Sequence, residues 1–420
     1  MIERNWAGNH EYRPAHLHRP STLEQVREIV AGASRVRVLG SRHSFTDIAD
    51  SSELLTLEGL PPDVVVDRTA RTVSFSAGLR YGELAETLQA EGLALGNLAS
   101  LPHISVAGAI ATATHGSGDA NGNLATAVVG LEMVTSSGEM LTVSRGDADF
   151  NGLVVGLGAL GAVTRITLDV EPGYEVRQRV FEGLSWDALF ENFDQITAAG
   201  YSVSVFTRWS EATDQVWVKS RVTDELEPAV DDFFGAKPAT LDRHPILGDD
   251  PVNCSRQLGV PGSWSDRLPH FRMGFTPSDG EELQSEFLLP RRHAAAAIGA
   301  IRALAATLRP LLLVSEIRTI AGDDLWMSPQ HGRETVALHF TWKRDQDAVD
   351  RVLVEVEAVL ARFDARPHWG KVFVADAEVI GPLYERLPDF IGLIARLDPR
   401  GAFRNAWLDR NVLGAHSLVS

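Results

Sequence analysis

The sequence predicts an α+β protein with two interiors, and three observations carry that reading. Its 420 residues amount to two or three domains at roughly 150 residues each. Residues 1–90 interleave short strand patterns with helical ones. In the second half, strand and helix patterns come in runs rather than in the regular alternation of a parallel α/β sheet.

Ser21 and Glu24 stand at capping-box spacing around Leu23, Val26, Ile29 and Val30, which share one helical face, so a helix is expected over 21–33. Residues 35–39 alternate as a strand and break at 40–45, Gly-Ser-Arg-His-Ser-Phe, a stretch too polar and too small to continue either period. Strands are expected at 54–57, 63–67 and 72–77, and a helix over 80–90. Residues 100–118 are almost all small, punctuated by Gly108, Gly116 and Gly118. Such a backbone can press against something flat or charged and offer N–H groups to phosphate or carbonyl oxygens. A hairpin over 128–144 turning at Ser137 and Gly138, and a strand over 162–171 ending at Glu171-Pro172-Gly173, close the first half. A domain boundary is expected there, dividing the chain into 1–175 and 176–420. The second half predicts strands over 201–209 and 215–221, irregular structure over 231–285 where Pro, Gly, Asp and Arg lack periodicity, and a helix over 291–308. Strands over 312–320 and 335–343, an amphipathic helix over 347–362 and a helix over much of 377–396 follow.

Lys and Arg number 39 against 56 Asp and Glu, a net charge of −17 spread along the chain, which repels nucleic acid and anionic lipid. The first 14 residues carry charge where a signal peptide needs an apolar core, and no run approaches the roughly 18 apolar residues of a membrane span. The expected address is therefore the cytoplasm, and the acidic surface suits a monomer. Cys254 is the one cysteine, so an internal disulfide, a four-cysteine zinc site and a Cys-x-x-Cys redox pair are all excluded. Any redox chemistry has to come from a bound group.

Residues 156–161, GLGALG, match the dinucleotide fingerprint G-x-G-x-x-G. The fingerprint works when a helix starts inside it and an acidic residue follows about 20 positions on. Here 162–169 alternate as a strand and Phe181 stands near the acidic position, so a Rossmann site is rejected in favour of a glycine-rich turn that touches a ligand through its backbone. The 13 histidines, His16, His18, His103 and His115 among them, fall at no recognisable metal-ligand spacing, and no metal is expected. No G-x-S-x-G elbow or P-loop occurs. His43 is different, because it sits in the strand-to-loop break at 40–45 where packing gives it little to do. In 335–343, Val336, Leu338, Phe340 and Trp342 point one way while Thr335, His339, Thr341 and Lys343 point the other, and Glu316 and Arg318 share a face in 314–320. Two such polar faces fit a lined cavity, and on pattern alone they fit a solvated sheet face equally well. Lys371 adds a cation after an aromatic turn.

Taken together, VLGSRHSF at 38–45, SLPHISVAG at 100–108 with ATHGSG at 113–118, EIRT at 316–319, LHFTW at 338–342 and RPHWGK at 366–371 resemble the bacterial alditol (xylitol, sorbitol) oxidase family, flavoproteins of the vanillyl-alcohol oxidase type. The likeness runs from NWAGN at 5–9 nearly to the end of the chain. It implies a two-subdomain FAD-binding domain (the PCMH type) over 1–175 and an α+β substrate cap over 176–420, with the segment from about 366 returning to the flavin. It implies FAD bonded covalently at its 8α carbon through His43, and cofactor contacts from Val38, Leu39, Gly40, Ser41, Arg42, Ser44, Ser105, Gly108, Ile110, Ala113, Thr114, His115, Gly116, Val163 and His368. Arg42 stands where a glycine is common in such loops. By the same matching, Ser105, Glu316, Arg318, Thr341 and Lys371 bind a polyol with His339 beside them. Arg318, Lys371, His339 and Glu316 are then the catalytic candidates. The implied reaction oxidises the C1 hydroxyl of an alditol to the aldose and reduces O2 to hydrogen peroxide. An aldonolactone oxidase or dehydrogenase of the same flavin fold is the nearest alternative, and a sugar-binding protein without redox chemistry a more distant one.

Overall fold

The computed structural model describes residues 3–222, 232–274 and 282–414. The chain begins with a small parallel sheet in the order His16–His18, Glu53–Leu55, Val36–Val38, and an antiparallel five-stranded sheet in the order Met140–Ser144, Val128–Val134, Ala162–Asp169, Thr72–Ser76, Val65–Asp67. Helices Leu23–Gly32 and Tyr81–Ala90 turn Val26, Val30, Leu84 and Leu88 onto the same interior as Phe75 and Ile166. The helix start lies one residue later than the sequence spacing predicts. Thr22 rather than Ser21 is the cap, its side chain accepting from Gln25 N, while the Gln25 side chain takes the Ser21 N–H.

Every described strand of the large sheet comes from residue 175 onward. Its order is Lys237–Pro238, Glu175–Glu182, Gln215–Arg221, Ser202–Thr207, Leu312–Ile320, Thr335–Lys343, Glu282–Pro290, Arg366–Pro367, with Gly262–Ser263 beside Glu175–Glu182, nine strands among the described residues. Helices Ala294–Ala303 and Gln346–Leu360 cover one face. The second places Val349, Val352, Leu353, Val356 and Leu360 on one stripe, with the Asp345 side chain accepting from Ala348 N at its start. That stripe packs on Leu338, Phe340 and Trp342, the apolar face of the Thr335–Lys343 strand. Burying each such side chain contributes about 1.5–3 kcal/mol, so this layer holds the sheet rigid while its other face stays free for polar groups.

Three expectations need correction. The helix over 377–396 is two helices, Ala377–Ile380 and Leu387–Leu397, separated by the turn at Gly381–Leu383, because Pro382 and Pro388 deny the N–H groups a continuous helix needs. The span 231–285, read as irregular, ends in the nine-residue strand Glu282–Pro290 and contains short elements including Trp264–Arg267; residues 231 and 275–281 lie outside those described. The strand Glu175–Glu182 and helices Trp186–Glu191 and Phe193–Thr197 occupy a span for which no element is expected from sequence. After the large sheet the chain returns, and Phe390, Leu393, Trp407 and Val412 complete the core of the first half.

Candidate active site

A cavity of about 910 Å3 lies between the polar face of the large sheet and the loops of the first half. Among the sequence-predicted residues, Val38, Leu39, Gly40, Ser41, Arg42, His43, Ser44, Ser105, Gly108, Thr114, His115 and His368 line it, as do Glu316, Arg318, His339, Thr341 and Lys371. A smaller adjoining cavity of about 100 Å3 takes Ile110 and Val163 together with Gly156, Gly158 and Gly161. The glycine-rich turn thus faces a cavity through its backbone, and a strand follows it, in keeping with the rejected Rossmann reading. Ala113 and Gly116 line neither cavity. Ala113 is buried in the core, and a side chain on Gly116 would start 2.4 Å from the Leu98 carbonyl, so both shape the loop from behind.

The loop at 40–45 is pressed against the short helix Val106–Ala111. A Cβ on Gly40 would sit 2.6 Å from Ser105 Oγ and one on Gly108 would sit 2.7 Å from the same atom. Ser105 N donates to Ser41 Oγ at 2.8 Å, and Phe45 N donates to the Gly370 carbonyl at 2.8 Å, which ties this loop to the turn bearing Lys371. Arg42 has φ 62°, the left-handed region that favours glycine, so the backbone itself explains why glycine is common at this place in such loops. Trp6 stacks on the His43 ring at 5.7 Å. Burial pushes the His43 pKa down to about 4, and its buried Nδ1 has no hydrogen-bond partner. His43 is therefore a neutral imidazole with a free nitrogen at the cavity wall.

On the sheet, strand register aligns Glu286, His339 and Glu316 across three adjacent strands. Glu286 Oε1 accepts from Arg318 at 2.7 Å and Oε2 from Lys371 Nζ at 2.7 Å. Lys371 Nζ also meets His339 Nδ1 at 2.8 Å, and His339 Nε2 meets Thr341 Oγ1 at 3.1 Å. An ammonium only donates, so His339 accepts at Nδ1 and carries its proton on Nε2, leaving the Thr341 hydroxyl hydrogen free for the cavity. Glu316 lies beside Arg318 with Oε2 3.7 Å from Nε, and its Oε1 meets His270 Nε2 at 3.0 Å. Burial opposes charge on both carboxylates. Lys371, Arg318 and His115 nevertheless hold Glu286 well below the usual carboxylate range, and Arg318 and His270 hold Glu316 below it. Burial, reinforced by Lys371, lowers the His339 pKa to about 4 and keeps His368 neutral. Two cations and two carboxylates thus balance, and the imidazoles between them are uncharged.

Glu286, His270 and the buried Lys219 behind it were not anticipated from the sequence. Gln284 and Glu286 alternate with Ser285 and Phe287 on the Glu282–Pro290 strand, a polar face like that of 335–343 and a usable signal. His270 follows a proline in an irregular stretch and has no such signal. His115, Glu286 and His368 bring ligand-capable atoms within 4.8 Å of one another, but both Glu286 oxygens already meet protein cations where a metal would have to bind.

This geometry agrees with what comparison finds. Residues 14–144 match the family model of an FAD binding domain, and 281–411 match that of D-arabinono-1,4-lactone oxidase. The alditol oxidase of a Streptomyces species is 50% identical over 96% of this chain and 97% of its own length. The chain belongs to the alditol oxidase family of vanillyl-alcohol oxidase-type FAD flavoproteins. The L-gulono-1,4-lactone dehydrogenase of Mycobacterium tuberculosis is a more distant relative of this alditol oxidase family member, 28% identical over 98% of each chain. Cholesterol oxidase from B. sterolicum superposes with a TM-score of 0.77 at 15% identity, covering 97% of this chain and 96% of that one, a likeness of fold alone. The family's two-subdomain FAD-binding α+β fold is the one observed. Its residues fit FAD: Gly40 and Gly108, which carry no side chain, line the large cavity, and His43, whose buried Nδ1 has no hydrogen-bond partner, lines it with them. No described helix is long and apolar enough to cross a membrane.

Proposed function

We propose that the protein oxidises the terminal C1 hydroxyl of alditols such as xylitol and sorbitol, with O2 as the acceptor, giving the aldose and hydrogen peroxide. The observation that carries this reading is the buried row of Arg318, Lys371, His339, Thr341 and Glu316 at one wall of the cavity whose other wall holds His43. FAD, when bound, supplies the two-electron acceptor that takes hydride from the substrate carbon and passes the electrons to O2.

A polyol is uncharged and rich in hydroxyls, each able to donate and accept, so it is held by groups that do both. Ser105 and Thr341 offer hydroxyls, and Glu316 accepts while Arg318 and Lys371 donate. As the substrate hydroxyl loses its proton, its oxygen gains alkoxide character, and the charges of Arg318 and Lys371 stabilise it in a buried setting. Glu316 is the group placed to receive that proton, since Lys371 is already an ammonium and the one lone pair of His339 already accepts from it. The neutral His43 is the nucleophilic nitrogen we assign to the 8α tether, with residues 1–175 holding FAD, 176–420 forming the cap, and the segment from about 366 returning to the flavin. A cytoplasmic monomer is the form we propose, which fractionation and size-exclusion chromatography test.

Purified protein is expected to absorb near 450 nm and to bleach when xylitol is added without oxygen; a colourless protein would sink the reading. Acid-precipitated protein should stay yellow, and His43→Ala should release any flavin into the supernatant. A second reading, oxidation of a sugar lactone, draws support from the match of 281–411 to the D-arabinono-1,4-lactone oxidase model. Greater peroxide release from a γ-lactone than from xylitol would favour it.

A further inference from the structure

Lys219 stands on the Gln215–Arg221 strand, on the cavity-facing side of the large sheet, with only 1% of its surface exposed. Its Nζ donates to the Leu268 carbonyl, to the Pro269 carbonyl at 3.1 Å and to His270 Nδ1 at 3.1 Å. Burial lowers Lys219 to about 7, and below that pH it is an ammonium; carbonyls only accept, so its three protons go two to them and the third to the imidazole. His270 therefore accepts at Nδ1, carries its proton on Nε2, and donates that proton to Glu316 Oε1 at 3.0 Å. The ring cannot turn away, because Trp217 and Phe206 meet it edge-on at 5.2 and 5.6 Å. Lys219 does not line the cavity, and His270 reaches it from the Glu316 side.

We infer that Lys219 is a positioning residue for the oxidation: it fixes the tautomer of His270, and His270 in turn holds Glu316 so that Oε2 is presented to the substrate. This rests on the reading of Glu316 as a substrate-binding group. Without the Lys219 ammonium, the imidazole is free to place its proton on Nδ1 toward the carbonyls and its lone pair against the Glu316 carboxylate. A donor to a buried charge is then lost and Glu316 is repelled from its place.

The test is a double-mutant cycle on the flavin-loaded enzyme, measuring kcat and KM for xylitol in wild type, Lys219→Met, Glu316→Gln and the pair, with melting temperature and 450 nm absorbance as controls for folding. Lys219→Met is expected to lower kcat/KM about 30-fold, the loss of one hydrogen bond to a charged group. In the Glu316→Gln background the same change should cost less than about twofold. Additive losses, or no loss from Lys219→Met, overturn the inference. If Lys219→Met does not fold, His270→Gln, which keeps an N–H near the Nε2 position, is set against His270→Leu. The glutamine variant should retain activity within about fivefold and the leucine variant lose about 100-fold; equal losses overturn the inference. A wild type active on a γ-lactone but not on xylitol removes the alditol reading alone, since the same cycle run on the lactone still tests Lys219.

Discussion

Arg318 and Lys371 are both held by one buried carboxylate, Glu286, and this sharing decides which of their protons can face the substrate. Removing water from two cations and two carboxylates is costly, and Glu286 meets that cost for both cations, although the buried Arg318 Nε has no protein hydrogen-bond partner. Glu286→Gln replaces one accepting oxygen by an N–H pair that must face Lys371 or Arg318, donor against donor. The variant is expected to lower kcat on xylitol by about 100-fold, comparable to the loss of an oxyanion-hole donor. Lys371→Ala and Arg318→Ala should fall as far. Steady-state peroxide release checks all three, and a Glu286→Gln enzyme at wild-type rate would show that the two cations keep their positions without it.

At the level of elements, what the sequence makes legible is what obeys a simple period. The strand over 335–343 alternates cleanly, and its two faces meet the helix layer and the cavity as the pattern requires. Gln284 and Glu286 leave a short alternation, but Leu288, Leu289 and Pro290 blur it at one end of the strand and an unpatterned stretch precedes the other, so the strand itself is hard to place. In Glu175–Glu182 the buried Gln178 sits where a core strand normally shows an apolar side chain. Residues brought together by register across strands, as Glu286, His339 and Glu316 are, leave no mark in local sequence at all. The motifs at 38–45 and 366–371 were legible one by one, whereas the bond from Phe45 N to the Gly370 carbonyl that joins them was not. Arg37 gives a further case. On the Val36–Val38 strand it reads as an outward residue, yet it is buried and donates to the carbonyls of Leu157 (2.7 Å), Gly158 (2.7 Å), Ile48 (2.6 Å) and Phe403 (2.9 Å). It thereby pins the glycine-rich turn and the returning C-terminal segment to one strand. Arg37→Met leaves those carbonyls unsatisfied and is expected to cost about 3 kcal/mol or more, read as a lower melting temperature and weaker flavin retention together.

For the whole molecule, buried groups pull the pH dependence of stability in opposite directions. Burial, with Lys219 and Lys371 adding to it, lowers His270 and His339 to about 4. A histidine depressed in the fold contributes stability that is present above its unfolded pKa of roughly 6.5 and is lost as pH falls toward 4, at about 2 kcal/mol each by pH 5. Asp323 and Glu357 run the other way, since burial raises them to about 6 and about 7. Their contribution is complete below their unfolded values and is lost as pH rises through 6 to 7, so acidification from pH 7.5 to 5 restores about 1 to 2 kcal/mol from each, somewhat less because both are partly exposed. His43 and His368, also depressed by burial, add to the histidine loss, so the two carboxylates offset only part of it down to pH 5. Below about 4.5 the depressed Glu286 and Glu316 add a second loss with nothing to offset it, so the melting temperature should decline as pH falls below about 6.5 and then fall steeply below about 4.5. Glu357→Gln separates the terms. Its side-chain oxygen can still accept the Val374 N–H, which ties the helix Gln346–Leu360 to the returning C-terminal segment, but it no longer titrates. The variant should be more stable than wild type at pH 7.5, and that advantage should vanish as pH falls through about 7 toward 5. A variant whose melting temperature follows the wild-type profile point for point would show that Glu357 supplies none of the offset.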